Sequence, residues 1–272
     1  MGGKFDLDRI GGRKALAALI DEVLEAGQDA LALYRGGAAN RTKRKPDRSP
    51  VTEADQAVEK RLRRFFEDRY PEAGFLGEET GSGGAGDSAL RWVVDPIDGT
   101  RAFIRGIPTW SILVGLEADG EPVLGVAYMP AADDLFVATQ GRGAFCNGRP
   151  LRVSSVEAIG DSVVSHGALS QFTDMNLGQW LPSLARETYT QRGFADFDGY
   201  RQLVLGRVDA MIDPGVAPWD VCAAAVIVRE AGGRFTSLEG EETIHDGTGF
   251  LASNGAVHDS LLALLRAEPG PG

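Results

Sequence analysis

Cysteine is scarce in this chain of 272 residues. Cys146 and Cys222 lie far apart and outside any C-x-x-C spacing, so neither a disulfide framework nor a thiolate zinc site is expected. Long apolar runs are missing too. No stretch approaches the roughly 18 apolar residues a membrane-spanning helix requires, and Met1–Ile10 carries charges without an apolar core, so neither a signal peptide nor an anchor is expected. A reducing cytoplasm is the default setting. Positive charge is short as well: 28 Lys and Arg against 39 Asp and Glu leave a formal net charge of −11. Non-specific nucleic-acid binding needs a basic face to displace counterions, so that class is excluded. The three histidines form no H-E-x-x-H. The serine-hydrolase elbow G-x-S-x-G and the P-loop are absent, no G-x-G-x-x-G leads from a strand into a helix, and no tandem repeat occurs.

What the chain has in surplus is carboxylate, and several of these acids stand where apolar runs end. Arg91–Val94 reads as a buried strand that leaves its sheet at Asp95-Pro96, because proline lacks the ladder donor and extends the residue before it. Asp98 follows, then Gly99, Thr100 and Arg101, whose N–H groups at a helix start suit an anion. Phe75–Gly77 is a short strand ending in Glu78-Glu79, and Pro218-Trp219-Asp220 opens a small-residue helix over Val221–Ala231. Hard cations such as Mg²⁺ take a few carboxylates plus substrate phosphate. Glu78, Asp95, Asp98 and Asp220 are the candidate ligands, enough for two ions that activate water and stabilise a leaving oxygen. Asp55, in Thr52-Glu-Ala-Asp55, is either an acid favouring the helix dipole or a catalytic group. Thr100 is either a first-turn hydroxyl or the residue that orients the attacking water. The basic run Arg41–Lys45 is either a solvated connector or part of a loop, residues 40–47, that closes over phosphate.

Apolar spacing predicts helices over Arg13–Tyr34 and Gln56–Tyr70. A flexible glycine segment, Gly81–Gly86, comes next. Strands Ser111–Leu116, Val123–Met129 and Leu135–Thr139 form an antiparallel meander, and Asn147-Gly148 turns a hairpin. Beyond residue 153 the elements alternate. Strand Ser162–Ser165, helices Met175–Arg186 and Tyr200–Leu205, strands Val208–Ile212, Arg234–Ser237 and Phe250–Ser253, and a helix over His258–Arg266 are expected. This divides the chain into an N-terminal α+β half, 1–153, with the metal motifs, and a C-terminal α/β half, 154–268, with the last ligand and the substrate segment. The tail from Pro269 is expected to be disordered.

Three motifs in this order, Gly77-Glu78-Glu79, Trp92-Val-Val-Asp95-Pro-Ile-Asp98-Gly-Thr100 and Pro218-Trp219-Asp220 with Glu230-Ala-Gly-Gly233, resemble the signatures of the inositol monophosphatase family. Pro50-Val-Thr-Glu-Ala-Asp55 and Gly141-Arg-Gly-Ala-Phe-Cys-Asn-Gly148 extend the resemblance over nearly the whole chain. It implies a layered α-β-α-β-α sandwich, a homodimer, and lithium-sensitive hydrolysis of phosphate monoesters with two or three Mg²⁺ ions. By the same resemblance Glu78, Asp95 and the Ile97 carbonyl bind one ion, and Asp95, Asp98 and Asp220 a second. Asp55 and Thr100 position and deprotonate water near a weaker third ion, the Gly99 and Thr100 amides hold phosphate, and Glu79 stands outside the ligand set. The segment Arg192-Gly-Phe-Ala-Asp196-Phe-Asp-Gly-Tyr200 is similar to that of the histidinol-phosphate phosphatase subgroup, although Ala195 stands where glycine is common there. With Asp98 and Asp220, Asp196 and Asp213 are the expected substrate contacts, and these two carboxylates suit an ammonium group. The alternative for Asp196 is a cap on the following helix. Histidinol phosphate is thus the favoured substrate. Inositol monophosphate comes next, then fructose 1,6-bisphosphate or 3′-phosphoadenosine phosphate. A non-catalytic metal- or phosphate-binding regulator is the reading from another class.

Overall fold

The computed structural model describes residues 3–36, 43–44, 50–85 and 88–266. The tail from Pro269 and most of the basic segment 40–47 lie outside them. The N-terminal helix α1 (Gly12–Arg35) is followed by a two-residue ladder, β1 (Lys43–Arg44) with β2 (Pro50–Val51), and by α2 (Glu53–Arg69). Strands β3 (Gly74–Gly77), β4 (Gly81–Gly84) and β5 (Leu90–Asp98) come next, then a short helix α3 (Thr100–Ile104). The meander is β6 (Ser111–Ala118), β7 (Glu121–Met129), β8 (Asp134–Thr139), β9 (Ala144–Cys146) and β10 (Arg149–Pro150). Together with β3–β5 it makes an eight-stranded sheet in the order β10-β9-β8-β7-β6-β5-β3-β4. The turn between β9 and β10 holds Asn147 at φ 49° and Gly148 at φ 74°, the left-handed pair that an Asn-Gly hairpin uses.

The later elements are β11 (Val163–His166), α4 (Leu169–Asp174), α5 (Leu181–Glu187), β12 (Thr190–Arg192), α6 (Asp196–Val204), β13 (Ala210–Pro214), α7 (Pro218–Glu230), β14 (Arg234–Ser237), β15 (Gly249–Ser253) and α8 (His258–Arg266). Their strands form a second sheet in the order β12-β11-β13-β15-β14. Alternate residues of each strand face opposite sides, so the sheets feed three cores. Trp92, Val94, Ile112, Val114 and Val126 pack under α1 and α2. Val93, Leu113, Ala127 and Phe136 meet α6, α7 and the inner face of the second sheet through Met211, Phe235 and Phe250. Val164, Ala210, Ile212 and Leu251 face α4, α5 and α8. Helices, sheet, helices, sheet, helices: the layers are those expected. Among the described residues no helix is long and apolar enough to cross a membrane.

Four local expectations are corrected. The central strand does not end at Val94. β5 continues through Asp98, since β3 pairs only as far as Val94 and the stretch beyond borders β6 alone, with an irregularity between Asp95 and Asp98. Pro96 therefore interrupts no two-sided ladder. The glycine segment after Glu79 forms β4, a strand antiparallel to β3. The helix expected over Met175–Arg186 begins only at Leu181, as α5. α4 stops at Met175, and Asn176 at φ 57° turns the chain before α5, which carries a proline in its first turn. Finally, α6 begins four residues before Tyr200, at Asp196.

His258 is fully buried at the start of α8, with Nδ1 2.8 Å from Ser253 Oγ and Nε2 3.0 Å from Thr236 Oγ1. Burial, with Arg234 nearby, pushes its pKa down to about 4. The ring stays neutral in the fold while the unfolded chain takes up a proton, so its contribution to stability is lost as pH falls from about 6.5 towards 4. The imidazole Cε1 proton of His258 is expected to titrate with a midpoint near 4 in NMR. A midpoint of 6 or above overturns this account.

Candidate active site

β3 and β5 run parallel with Gly77 opposite Val94, so the residues that follow, Glu78 and Asp95, emerge side by side at the carboxyl ends of neighbouring strands. Parallel strands present their acids on one edge, where open α/β sheets bind ligands. The irregularity in β5 is satisfied locally. Pro96 has no N–H to place, and the Ile97 N–H donates to Asp95 Oδ1 at 3.0 Å. Gly99, at φ 79°, then starts α3 with no side-chain cap, and the left-handed turn there favours glycine.

Asp98 is buried and held by one oxygen. Ser111 Oγ donates to Oδ2 at 2.7 Å, and the Phe197 N–H donates to the same atom at 2.9 Å. The second bond ties the start of α6, about a hundred residues downstream, to the central motif. Asp196, the residue before, sits at φ 57°, a region that aspartate tolerates better than most residues. Its carboxylate does not cap α6; a Cβ added at Gly99 would lie 3.1 Å from Asp196 Oδ2.

Asp220 enters from the middle helical layer. Pro218 opens α7, and Asp220 Oδ2 accepts the Ala217 N–H at 2.6 Å, so the helix N-terminus points its carboxylate at Asp95 and Asp98. Ligand atoms of these three lie within 4.8 Å of one another, and so do those of Asp55, Glu78 and Glu79. Asp55 caps its own helix and also faces Thr100. It is the N3 acid of a capping box, with Oδ2 accepting the Thr52 N–H at 2.7 Å, and its Oδ1 lies 3.2 Å from Thr100 Oγ1. The Thr100 hydroxyl is also 3.0 Å from the Ile97 carbonyl oxygen. Behind the cluster, buried Glu59 accepts the N–H groups of Glu79 and Thr80 at 2.8 Å each and fixes that turn.

These acids open on a cavity of about 500 Å³ lined by Glu78, Asp98, Gly99, Thr100, Asp196, Asp213 and Asp220, among others. Asp213 is buried, and its Oδ2 accepts the Tyr200 hydroxyl at 3.1 Å. Burial raises the pKa of Asp95 well above the usual carboxylate range, with further push from Glu78, Asp98 and Asp220. Burial raises Asp98, with Asp196 next in effect, and Asp213, with Asp220 next. Asp220 is pushed up to about 7, chiefly by burial. Among the described residues Asp95, Asp98 and Asp220 form no ion pair with a lysine, arginine or histidine. Crowded buried carboxylates with oxygen donors only fit a hard divalent cation, whose charge reverses this pKa logic.

Compared with known proteins, the sequence matches the inositol monophosphatase family over residues 13–269. The chain belongs to that family. It is 40% identical to a histidinol-phosphatase from Mycobacterium tuberculosis over 88% of this chain and 94% of that protein. It is 32% identical to an inositol-1-monophosphatase from Mesorhizobium japonicum, over 79% and 82% of the two chains. The crystal structure of the extragenic suppressor protein suhB from Bartonella henselae superposes with a TM-score of 0.85 at 30% identity, covering 93% of this chain and 98% of that one. Inositol monophosphatase family members are metal-dependent phosphatases, and this chain is a phosphomonoesterase.

Within that family frame, the expected residues converge. Glu78, Asp98, Gly99, Thr100, Asp196, Asp213 and Asp220 share the cavity. Asp95 sits against Asp98 and Asp220, and Asp55 and the Ile97 carbonyl meet at Thr100. Two groupings add to the expectation. Glu78 lies near Asp55 as well as beside Asp95, and Glu79 lies in the same group as Asp55 and Glu78. Sequence reasoning missed Ser111, Gln171 and the side chain of Arg101. Arg101, next to Thr100, lines the cavity and draws the Asp196 pKa down against the upward pull of its burial. Ser111 had no local signal, since its role comes from pairing opposite Asp98 across β5 and β6.

Proposed function

We propose that the phosphate monoester is histidinol phosphate and that the metal is Mg²⁺, bound as two or three ions. Bound there, Mg²⁺ supplies positive charge to the phosphoryl oxygens and acidity to a water. Glu78, Asp95 and the Ile97 carbonyl hold one ion and Asp95, Asp98 and Asp220 a second, while Asp55, Glu78 and Glu79 offer a third place. Ser111 and the Phe197 N–H occupy Asp98 Oδ2, which leaves Oδ1 as the ligand atom. Asp55 Oδ1 accepts the proton of the attacking water, which the Thr100 hydroxyl orients between Asp55 and the Ile97 carbonyl. The Gly99 and Thr100 amides at the start of α3 hold the phosphate.

The substrate reading rests on one observation. After the metal ligands are accounted for, the cavity still contains two carboxylates, Asp196 and Asp213, and among the described residues Arg101 is the one cationic side chain lining it. Two acids facing a ligand suit a cationic amine, which would return Asp213 to its charged form. The hydroxyls of inositol have no such charge to offer. The 40% identity to a histidinol-phosphatase supports the same choice. Comparing kcat/KM for histidinol phosphate, inositol 1-phosphate and fructose 1,6-bisphosphate tests it. A preference of at least tenfold for the amine ester is expected, and a preference for inositol 1-phosphate overturns it. This reading also includes a homodimer in the cytoplasm, which light scattering and cell fractionation address.

A further inference from the structure

The inner wall of the cavity is made where β11 and β13 run parallel and their pairing ends, with His166 opposite Ile212. The next residues, Gly167 and Asp213, are therefore neighbours, and the Gly167 N–H donates to the Ile212 carbonyl at 3.0 Å. Gln171, in the first turn of α4, folds back over the same glycine. Its Oε1 accepts the Ala168 N–H at 2.6 Å. Since a backbone N–H needs an acceptor, this bond identifies the carbonyl end of the amide. A Cβ at Gly167 would lie 2.4 Å from Gln171 Oε1 and 2.6 Å from Asp213 Oδ1. Glycine is thus what lets an amide carbonyl and a carboxylate oxygen close on one point of the backbone, and both side chains line the cavity.

Each of these two oxygens has a lone pair to spare. Asp213 uses Oδ2 for the Tyr200 hydroxyl, and Gln171 Oε1 has taken one donor out of the two it can accept. Two adjacent acceptors call for a donor with several hydrogens. An ammonium group carries three in a compact head and can bond both oxygens at once, whereas a lone hydroxyl has one.

We propose that Gln171 is a specificity-determining residue that, with Asp213, binds the ammonium group of the substrate over Gly167. This rests on the amine-ester reading above and assigns the amine to one place in the cavity. Asp213 provides the charge, and Gln171 Oε1 provides the second acceptor that a hydroxyl-bearing ester does not need.

The test compares histidinol phosphate with its desamino analogue, 3-(imidazol-4-yl)propyl phosphate, in the wild type, Gln171→Leu and Gln171→Glu, all with saturating Mg²⁺. The wild type is expected to prefer the amino ester. Gln171→Leu should lose about tenfold in kcat/KM on the amino ester, the worth of one charge-assisted hydrogen bond, with the desamino ester changed less than about twofold. Gln171→Glu keeps an oxygen for the Ala168 N–H and should raise the preference for the amino ester above that of the wild type. A wild type that fails to distinguish the two esters overturns the amine reading before any variant is made. If it does distinguish them and the ratio is unchanged in both variants, or Gln171→Leu weakens both esters equally, the role given to Gln171 is overturned and the amine reading stands.

Discussion

Replacing Asp95 by asparagine is expected to lower turnover by on the order of 10³-fold or more, while raising the melting temperature of the metal-free protein. Asp95 is the carboxylate assigned to both ions of the pair, so its loss weakens the whole charge that metal brings to the phosphoryl group, which is worth several kcal/mol. The stability change runs the other way. Asp95 is buried, and burial together with Glu78, Asp98 and Asp220 opposes its ionisation. At pH 7 the unfolded chain carries that charge freely, so the native state is penalised for it, and a neutral amide removes the penalty. Asparagine can still accept the Ile97 N–H that Asp95 Oδ1 accepts at 3.0 Å, so the bend in β5 is retained. Mg²⁺ in 100-fold excess over its dissociation constant should stabilise the wild type by about 2.7 kcal/mol, and the variant by much less. Turnover assays and thermal melts with EDTA or Mg²⁺ check both halves. Near-normal turnover sinks the shared-ligand assignment, and a lower metal-free melting temperature sinks the charge account.

Asp55→Asn separates the two roles that Asp55 combines. If it only caps α2, the change should touch stability and leave kcat alone, because a capping side chain contributes about 1 kcal/mol to its helix. If Asp55 Oδ1 is the acceptor for the water's proton, kcat should fall by about 10²- to 10⁴-fold with KM little changed. The second outcome is expected. An asparagine oxygen can still take the Thr52 N–H that Asp55 accepts at 2.7 Å, so α2 should keep its start. Burial also raises the pKa of Asp55, so losing the charge should leave the melting temperature equal or higher. A kcat within a few-fold of the wild type sinks the catalytic assignment, and circular dichroism reports whether α2 has been lost.

Much of the site was legible before any coordinates because its chemistry is local. Asp95, Asp98, Gly99 and Thr100 lie within six residues, and their types alone suggest cation and phosphate. The hydrophobic period marked α1, α2 and the meander to within a few residues. Strand β4 reads as a flexible loop in the sequence because four glycine-rich residues have neither apolar alternation nor side chains to pack, and only pairing with β3 holds them in the sheet. The helix boundary at Met175 was missed for a similar reason: the chain turns there through Asn176 in a left-handed conformation, which asparagine merely permits.

The amino-acid sequence by itself determined the reaction. Oxygen ligands, a turn glycine and a hydroxyl at a helix start need only a strand end to act on a phosphate, and the acidic balance of the chain argues against non-specific nucleic-acid binding. Tertiary structure decided how the acids are grouped and what faces the substrate. Parallel pairing of β3 with β5 sets Glu78 beside Asp95, α7 brings in Asp220, and the bond from Phe197 to Asp98 joins segments about a hundred residues apart. Pairing of β11 with β13 puts Gln171 over Gly167 and against Asp213. The distances that make these neighbours are set by strand register and layer packing, which no residue encodes within its own local stretch of chain.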